Sequence, residues 1–277
     1  IGGKVLTINP DLALPGYERT STVFATAYAK GVAVVPTAAG GVAYTAVERF
    51  GIMATDIANN TPLRPQGQRV IEGSYTCEAM DVAVLNATVI GLCRDGNRLV
   101  MLDPSLGLLG QAALPGVPRR VRVIENYESD LDADGQISQG ERFALAIVGG
   151  DAGIWIVDIS RPASPSLLSG IPVGGIVRDV EVDVERRRIF AGADLSSDGP
   201  TILMFDLSKP TGVPSTTVGD DPRLLWSKAY APGFNGIRLD AARGLLYIAQ
   251  PGGLDIYAMY DACCDLRIDM RPRPSLD

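Results

Sequence analysis

The chain has 277 residues, 46% of them hydrophobic and 21% charged, an ordinary globular composition with apolar material for a sizeable core. A net charge of -7 and a pI near 4.8 lack the basic surface that nucleic-acid binding needs, so nucleic acid is excluded as a partner. The absence of histidine excludes Ser-His-Asp and Cys-His catalysis and any Cys/His zinc site.

The first apolar run, residues 4–8, reads as a short strand, and residues 51–56 repeat it as a strand ending in a polar residue. Residues 81–86 and 88–93 alternate as a strand pair, and Asp95-Gly96-Asn97 turns the chain into a further strand at 98–103. Cys77 and Cys93 flank that pair, and two readings stay open, a disulfide or two buried thiols, of which the thiols are the simpler. Strands follow at 121–125 and 142–148, separated by a long acidic turn, and then at 154–158. The triplets 180–184, 188–193, 201–206 and 236–240, 245–250, 254–259 repeat the same order. Adjacent Cys263 and Cys264 have no connectivity that spacing alone can assign. The 31 Gly and 19 Pro fall between these runs, as turns do, and hardly any stretch has capped helical periodicity. No apolar run reaches the roughly 18 residues of a membrane-crossing helix, so direct membrane insertion is not expected. Because the chain begins at Ile1, it is read as a mature or excised part of a longer protein with neighbouring domains.

The third strand of each triplet returns with a period of about 48 residues, the length of one propeller blade. The expected fold is therefore all-β, a β-propeller of five or six four-stranded antiparallel blades with few or no helices, forming one domain over residues 1–277. Residues 4–8 are expected to close the ring against residues 266–270, or else the ring is incomplete. The stretch Gly153-Ile154-Trp155-Ile156-Val157-Asp158-Ile159-Ser160-Arg161-Pro162 resembles the LVIVD repeat of bacterial surface and secreted β-propellers, with weaker copies at 51–65 and 201–210. That resemblance implies a propeller scaffold and no single activity.

Within the insertion at 126–142 lies Asp130-Leu131-Asp132-Ala133-Asp134-Gly135-Gln136-Ile137-Ser138-Gln139-Gly140-Glu141. It is similar to the EF-hand calcium loop at each defining position. A hard cation takes six to eight oxygens at about 2.3–2.6 Å, which calls for carboxylates alternating along a tightly wound loop. The resemblance implies carboxylate ligands from Asp130, Asp132 and Asp134, a bend at Gly135, the backbone carbonyl of Gln136, water held by Ser138, and both oxygens of Glu141. Ile137 would be the apolar pin. The flanks are strands where an EF-hand has helices, so calcium is expected to act as a structural staple and not as a switch. Taken as a second-to-third-strand turn, the loop is expected on the same face as the 160–165 connector.

Other chemistry is sparse: there is no nucleophile elbow, phosphate loop or dinucleotide fingerprint. Asp81, Asp179 and Asp183, with Arg178 or Arg238, are the carboxylate and anion-binding candidates for a glycosidase or lyase alternative. Strand-end charges are the plainer reading of all five. Arg186-Arg187-Arg188 reads as a solvated hairpin tip, and the sequons at Asn59 and Asn86 are near chance frequency. The expected role is a non-catalytic, calcium-stabilised binding, adhesion or scaffold module of a bacterial secreted or cell-surface protein. Its partner would be a protein or glycan on one propeller face.

Overall fold

A computed structural model describes residues 5–8, 18–21, 29–36, 41–48, 51–56, 61–62, 70–71, 75–132, 134, 136–208, 210, 221–230, 233–262 and 265–270. Cys263 and Cys264 lie outside them. In chain order, β1 (Val5–Ile8) and β2 (Glu18–Ser21) form a two-stranded sheet. A four-stranded sheet follows from β3 (Ala29–Val35), β4 (Val42–Val47), β5 (Gly51–Asp56) and β6 (Thr61–Pro62), and then a second small pair from β7 (Val70–Ile71) and β8 (Tyr75–Thr76). The next four-stranded sheet holds β9 (Ala79–Leu85), β10 (Thr88–Cys93), β11 (Arg98–Leu102) and β12 (Leu108–Ala113). A six-stranded sheet runs through β13 (Pro118–Glu128), β14 (Arg142–Asp158), β15 (Ser166–Asp183), β16 (Arg188–Leu195), β17 (Gly199–Asp206) and β18 (Leu224–Ala229). The last four-stranded sheet is β19 (Gly236–Asp240), β20 (Leu245–Gln250), β21 (Gly253–Ala262) and β22 (Asp265–Met270). Neighbouring strands in each sheet follow chain order, and the pairing is antiparallel. Among the described residues the single helix is the three-residue 3-10 turn Gln139–Glu141.

The six-stranded sheet is two four-stranded repeats run together. Seventeen extended residues would span about 56 Å, yet the Ile159 amide, just past the end of β14, donates to the Ala144 carbonyl near its start at 2.8 Å. Strand β14 therefore reverses on itself through Gly149-Gly150-Asp151-Ala152-Gly153. Its second arm pairs with β15 from Gly153↔Pro172 to Asp158↔Ser166, and the later part of β15 pairs with β16 from Gly175↔Leu195 to Asp183↔Arg188. One strand is thus the outer edge of one repeat and the opening strand of the next.

Two expectations are corrected by these pairings. Residues 5–8 pair with 18–21, and residues 266–270 pair with β21, so the sequence-based pairing of the first run with the last is replaced by local hairpins. The acidic insertion joins β13 to the first arm of β14, a first-to-second-strand turn, because the 154–158 run is the third strand of its repeat. First-to-second and third-to-fourth turns fall at the same end of an antiparallel meander. Ser160, where the connector begins, accepts through Oγ from the Ala144 amide at 2.9 Å.

What ends the anchor strands is the same device three times. Asp103 Oδ1 accepts from the amide and hydroxyl of Ser105 at 2.7 and 2.6 Å, Asp158 from those of Ser160 at 2.9 and 2.6 Å, and Asp206 from those of Ser208 at 3.0 and 2.6 Å. An aspartate two residues before a serine closes a turn on itself and removes the amide from the ladder, so the strand stops there.

Contacts group the chain into two compact units, residues 1–123 with 161–165, and residues 124–160 with 166–277. The first has a core of Tyr44, Ile52, Val82, Val89, Val100 and Leu102. Within it Cys77 and Cys93 form a disulfide, Cα to Cα 5.0 Å, which decides between the two open readings. The bond ties the open end of the β9–β10 hairpin, where the register shifts between Leu92 and Cys93. The second unit has one core around Leu145, Ile147, Ile154, Ile156 and Phe205 and another around Phe190, Met204, Phe234 and Leu246. Each fully buried isoleucine there contributes about 1.5–3 kcal/mol.

At the tip of β9–β10, Asn86 and Ala87 both take positive φ, 45° and 56°. That is the two-residue turn matching strand twist, and it suits Asn-Gly better than Asn-Ala. Ala87→Gly is expected to stabilise the protein by about 1 kcal/mol, read as a higher midpoint in urea at unchanged slope. A lower midpoint would show that the turn does not hold alanine in the left-handed region.

Candidate metal centre

Two elements hold the acidic loop at its ends. On the near side β13 delivers Tyr127, and Ser129 follows just past its end, both buried. The Tyr127 hydroxyl donates to the Leu207 carbonyl, and Ser129 Oγ donates to the Ser208 carbonyl at 2.7 Å. On the far side Glu141 opens into β14, and its carbonyl accepts from the Ser129 amide at 3.0 Å. The loop is thus anchored beside the Asp206–Ser208 turn of the following repeat. Burial holds the Tyr127 phenol up at about 12, partly countered by Arg187, whose guanidinium lies 5.9 Å from the ring centre.

Between these anchors, one carboxylate oxygen from each of Asp130, Asp132 and Asp134 lies within 4.8 Å of the others. The loop winds around them: the Asp134 amide donates to Asp130 Oδ1 at 3.1 Å and to Asp132 Oδ1 at 3.2 Å, and the Gln136 amide to Asp134 Oδ1 at 2.7 Å. The Asp134 amide lowers the Asp132 carboxyl, but partial desolvation and the charges of Asp134, Glu141 and Asp130 together hold it above its ordinary value. Like charges at this range repel, and a divalent cation is the group that would relieve them.

Glu141 stands outside that cluster of three. Its Oε2 accepts from the Ser138 amide at 2.8 Å and its Oε1 from the Leu131 amide at 2.5 Å and the Asp132 amide at 3.4 Å. The Ser138 and Leu131 amides hold this carboxyl below the usual range. Gln136 and Ser138 are exposed, and Ser138 N-caps the short 3-10 turn. The apolar residue packed on the core is Leu131, at the second loop position, while Ile137 is half-buried. The sequence signal for that was Leu131 itself, an apolar residue between two acids that the EF-hand pattern leaves unconstrained.

The five other candidates are engaged in backbone and ionic contacts. Asp81, 4% exposed, accepts from the Val121 amide at 3.0 Å, and Arg120 and Arg122 lie 3.6 and 4.0 Å away. Burial raises its carboxyl despite those cations. Asp179 repeats the arrangement, its Oδ2 accepting from the Ile237 amide at 2.9 Å. Each buried aspartate therefore fastens its strand to the opening strand of the next repeat. Asp183 caps its own hairpin through the Arg186 amide and guanidinium at 3.0 and 2.8 Å. Arg178 pairs with Asp194 and Arg238 with Glu181.

Arg186 and Arg187 of the triple-arginine tip are exposed as expected, Arg188 is half-buried, and each member has a partner. Arg186 reaches Asp183 and the Ala241 carbonyl, Arg187 the Tyr127 ring, and Arg188 Asp206 at 3.2 Å.

No family model matches the chain, and no curated protein matches it. Solved structures do. The β-propeller domain of Myceliophteria thermophila Cps50 (Swd1) matches with a TM-score of 0.55 at 10% identity, over 88% of this chain and 72% of that one. A chain of the mitotic checkpoint complex matches with a TM-score of 0.59 at 13% identity, over 96% of this chain and 73% of that one. At such identities the likeness is one of fold alone. The fold is an all-β propeller, and the four-stranded antiparallel repeats are its blades.

Proposed function

We propose that the chain is a non-catalytic β-propeller module of a bacterial secreted or cell-surface protein, a single domain over residues 1–277. The insertion at 126–142 holds one calcium ion, and a blade face binds a protein or glycan partner. The convergence of Asp130, Asp132 and Asp134 carries this reading, because three carboxylates within 4.8 Å on an anchored loop match what a hard cation needs. On this reading those three residues and the Gln136 carbonyl supply oxygens, and Ser138 holds a water. Glu141 exchanges its amide donors for the ion. Millimolar extracellular calcium keeps such a loop filled.

Three further observations support the setting. The Cys77–Cys93 disulfide suits an oxidising compartment. The repeated Asp-x-Ser turns at 103, 158 and 206 fit the LVIVD-like pattern at the ends of the anchor strands. A rigid scaffold for partners agrees with a structural neighbour that is part of the mitotic checkpoint complex.

Calcium at a hundredfold excess over Kd is expected to stabilise the protein by about 2.7 kcal/mol, which raises Tm by roughly 5 °C or more. Chelator reverses the shift, and Asp130→Ala with Asp134→Ala abolishes both the shift and the calorimetric binding signal. Identical melting curves with calcium and with chelator would sink the proposal.

A further inference from the structure

On the second unit, a cavity of about 250 Å³ opens on the sheet formed by β15 to β18. Its walls are Val173, Leu203 and Phe205, all buried, with Pro172, Leu195 and Leu224 beside them. Ser197, Asp198, Asp221 and Ser227 form the polar part of the lining. The two carboxylates differ in kind. Asp221 is bound by Arg223 through two guanidinium nitrogens at 2.9 and 2.8 Å, which neutralises it. Asp198 stands at an exposed hairpin tip, where it accepts from the Ser197 hydroxyl at 2.9 Å. The pocket therefore has an apolar interior and one anionic point at its mouth.

Volume selects among occupants. A drug-sized ligand or cofactor takes about 300–1,000 Å³, whereas a benzene-sized group fits in about 150 Å³. The cavity accommodates a single ring or alkyl stem with a head group. Water would find few partners on the apolar walls.

We propose that this cavity binds an organic ammonium or guanidinium group carried on an apolar stem or ring, its stem against Val173, Leu203 and Phe205 and its cation at Asp198. The chemistry is shared by a free arylalkylamine and by a lysine or arginine side chain of a peptide. The site stands independently of the calcium reading.

The test follows amide shifts of Ser197, Asp198, Leu224 and Ser227 in the intact chain by NMR. Titrants are phenethylamine, its neutral isostere 2-phenylethanol, and Nα-acetyl-lysine amide as the peptide-like source. Saturable shifts with phenethylamine are expected, with Kd about millimolar for so small a probe. The neutral isostere should bind about fivefold more weakly, and Asp198→Asn should erase that difference. Stronger binding of the lysine amide assigns a peptide source, and stronger binding of phenethylamine a free amine; both outcomes support the site. Ser227→Phe fills the mouth from an exposed strand position, leaves the core intact and should abolish all shifts. Equal binding of amine and alcohol, absent shifts with every titrant, or shifts that persist in Ser227→Phe would overturn the proposal.

Discussion

Arg223→Ala is expected to destabilise the protein by about 3–5 kcal/mol, because it strands a buried carboxylate. Asp221 and Arg223 have side chains only 2% and 12% exposed. Arg223 grips Asp221 at both oxygens and also donates to Ser169 Oγ at 3.1 Å and the Gly170 carbonyl at 2.7 Å. One side chain thus joins the start of β18 to the outer strand of the preceding repeat. Urea unfolding of the variant measures the loss, and the double variant Asp221→Ala/Arg223→Ala should recover part of it, since no orphaned charge is left. A cost under about 1 kcal/mol would mean that the pair is solvated.

The same pair sets a pH signature. The Arg223 side chain is the main cause holding the Asp221 carboxyl below its ordinary 3.8, with the Arg223 amide adding to it against the effect of burial. A carboxyl depressed in the folded state stabilises the protein above its unfolded pKa, and that contribution disappears as pH falls through the folded value. Wild type and Arg223→Ala should therefore differ in stability at neutral pH and converge in acid, below about pH 4. A difference constant down to the acid limit would assign the loss to packing alone.

The Cys77→Ser/Cys93→Ser double variant is expected to lose about 3 kcal/mol, the loop-closure value for cysteines 16 residues apart. The bond closes the β9–β10 hairpin at its open end, where the Arg94 amide also donates to the Glu78 carbonyl at 2.9 Å. Both sulfur-bearing residues are buried, so reductant should act only after local opening, and native protein should resist dithiothreitol until denaturant is added. Rapid reduction under native conditions, or an unchanged urea midpoint in the double variant, would show that the hairpin does not depend on the bond.

Most of the strands were legible because their cause is local. The predicted runs 236–240 and 245–250 coincide with β19 and β20, and 88–93 with β10, since alternating apolar residues bounded by Gly, Asp and Asn act over a few positions. The acidic loop was legible for a related reason, as the spacing of Asp130, Asp132 and Asp134 is written into a single turn. Their convergence within 4.8 Å follows from that spacing. Where prediction and structure part, the deciding contact is one that local periodicity does not mark. Residues 5–8 find their partner nearby in residues 18–21, where periodicity had suggested the far end of the chain. Arg186 and Arg187 at the tip are exposed as expected, but the Ala241 carbonyl and the Tyr127 ring that they meet come from other repeats.

The sequence by itself determined the repeat, the antiparallel strand order and the candidate ligands of the acidic loop, because hydrophobic alternation and turn chemistry are properties of neighbouring residues. Only the tertiary structure decided that Cys77 and Cys93 are joined and that Asp81 and Asp179 fasten one repeat to the next. It also decided that Glu141 caps its own loop through backbone amides and that Leu131 pins it to the core. Apart from the Glu141 contacts, which lie within its own loop, each of these depends on which donor, thiol or apolar surface arrives from elsewhere in the fold, and a carboxylate, thiol or leucine carries no local mark of the partner it will meet.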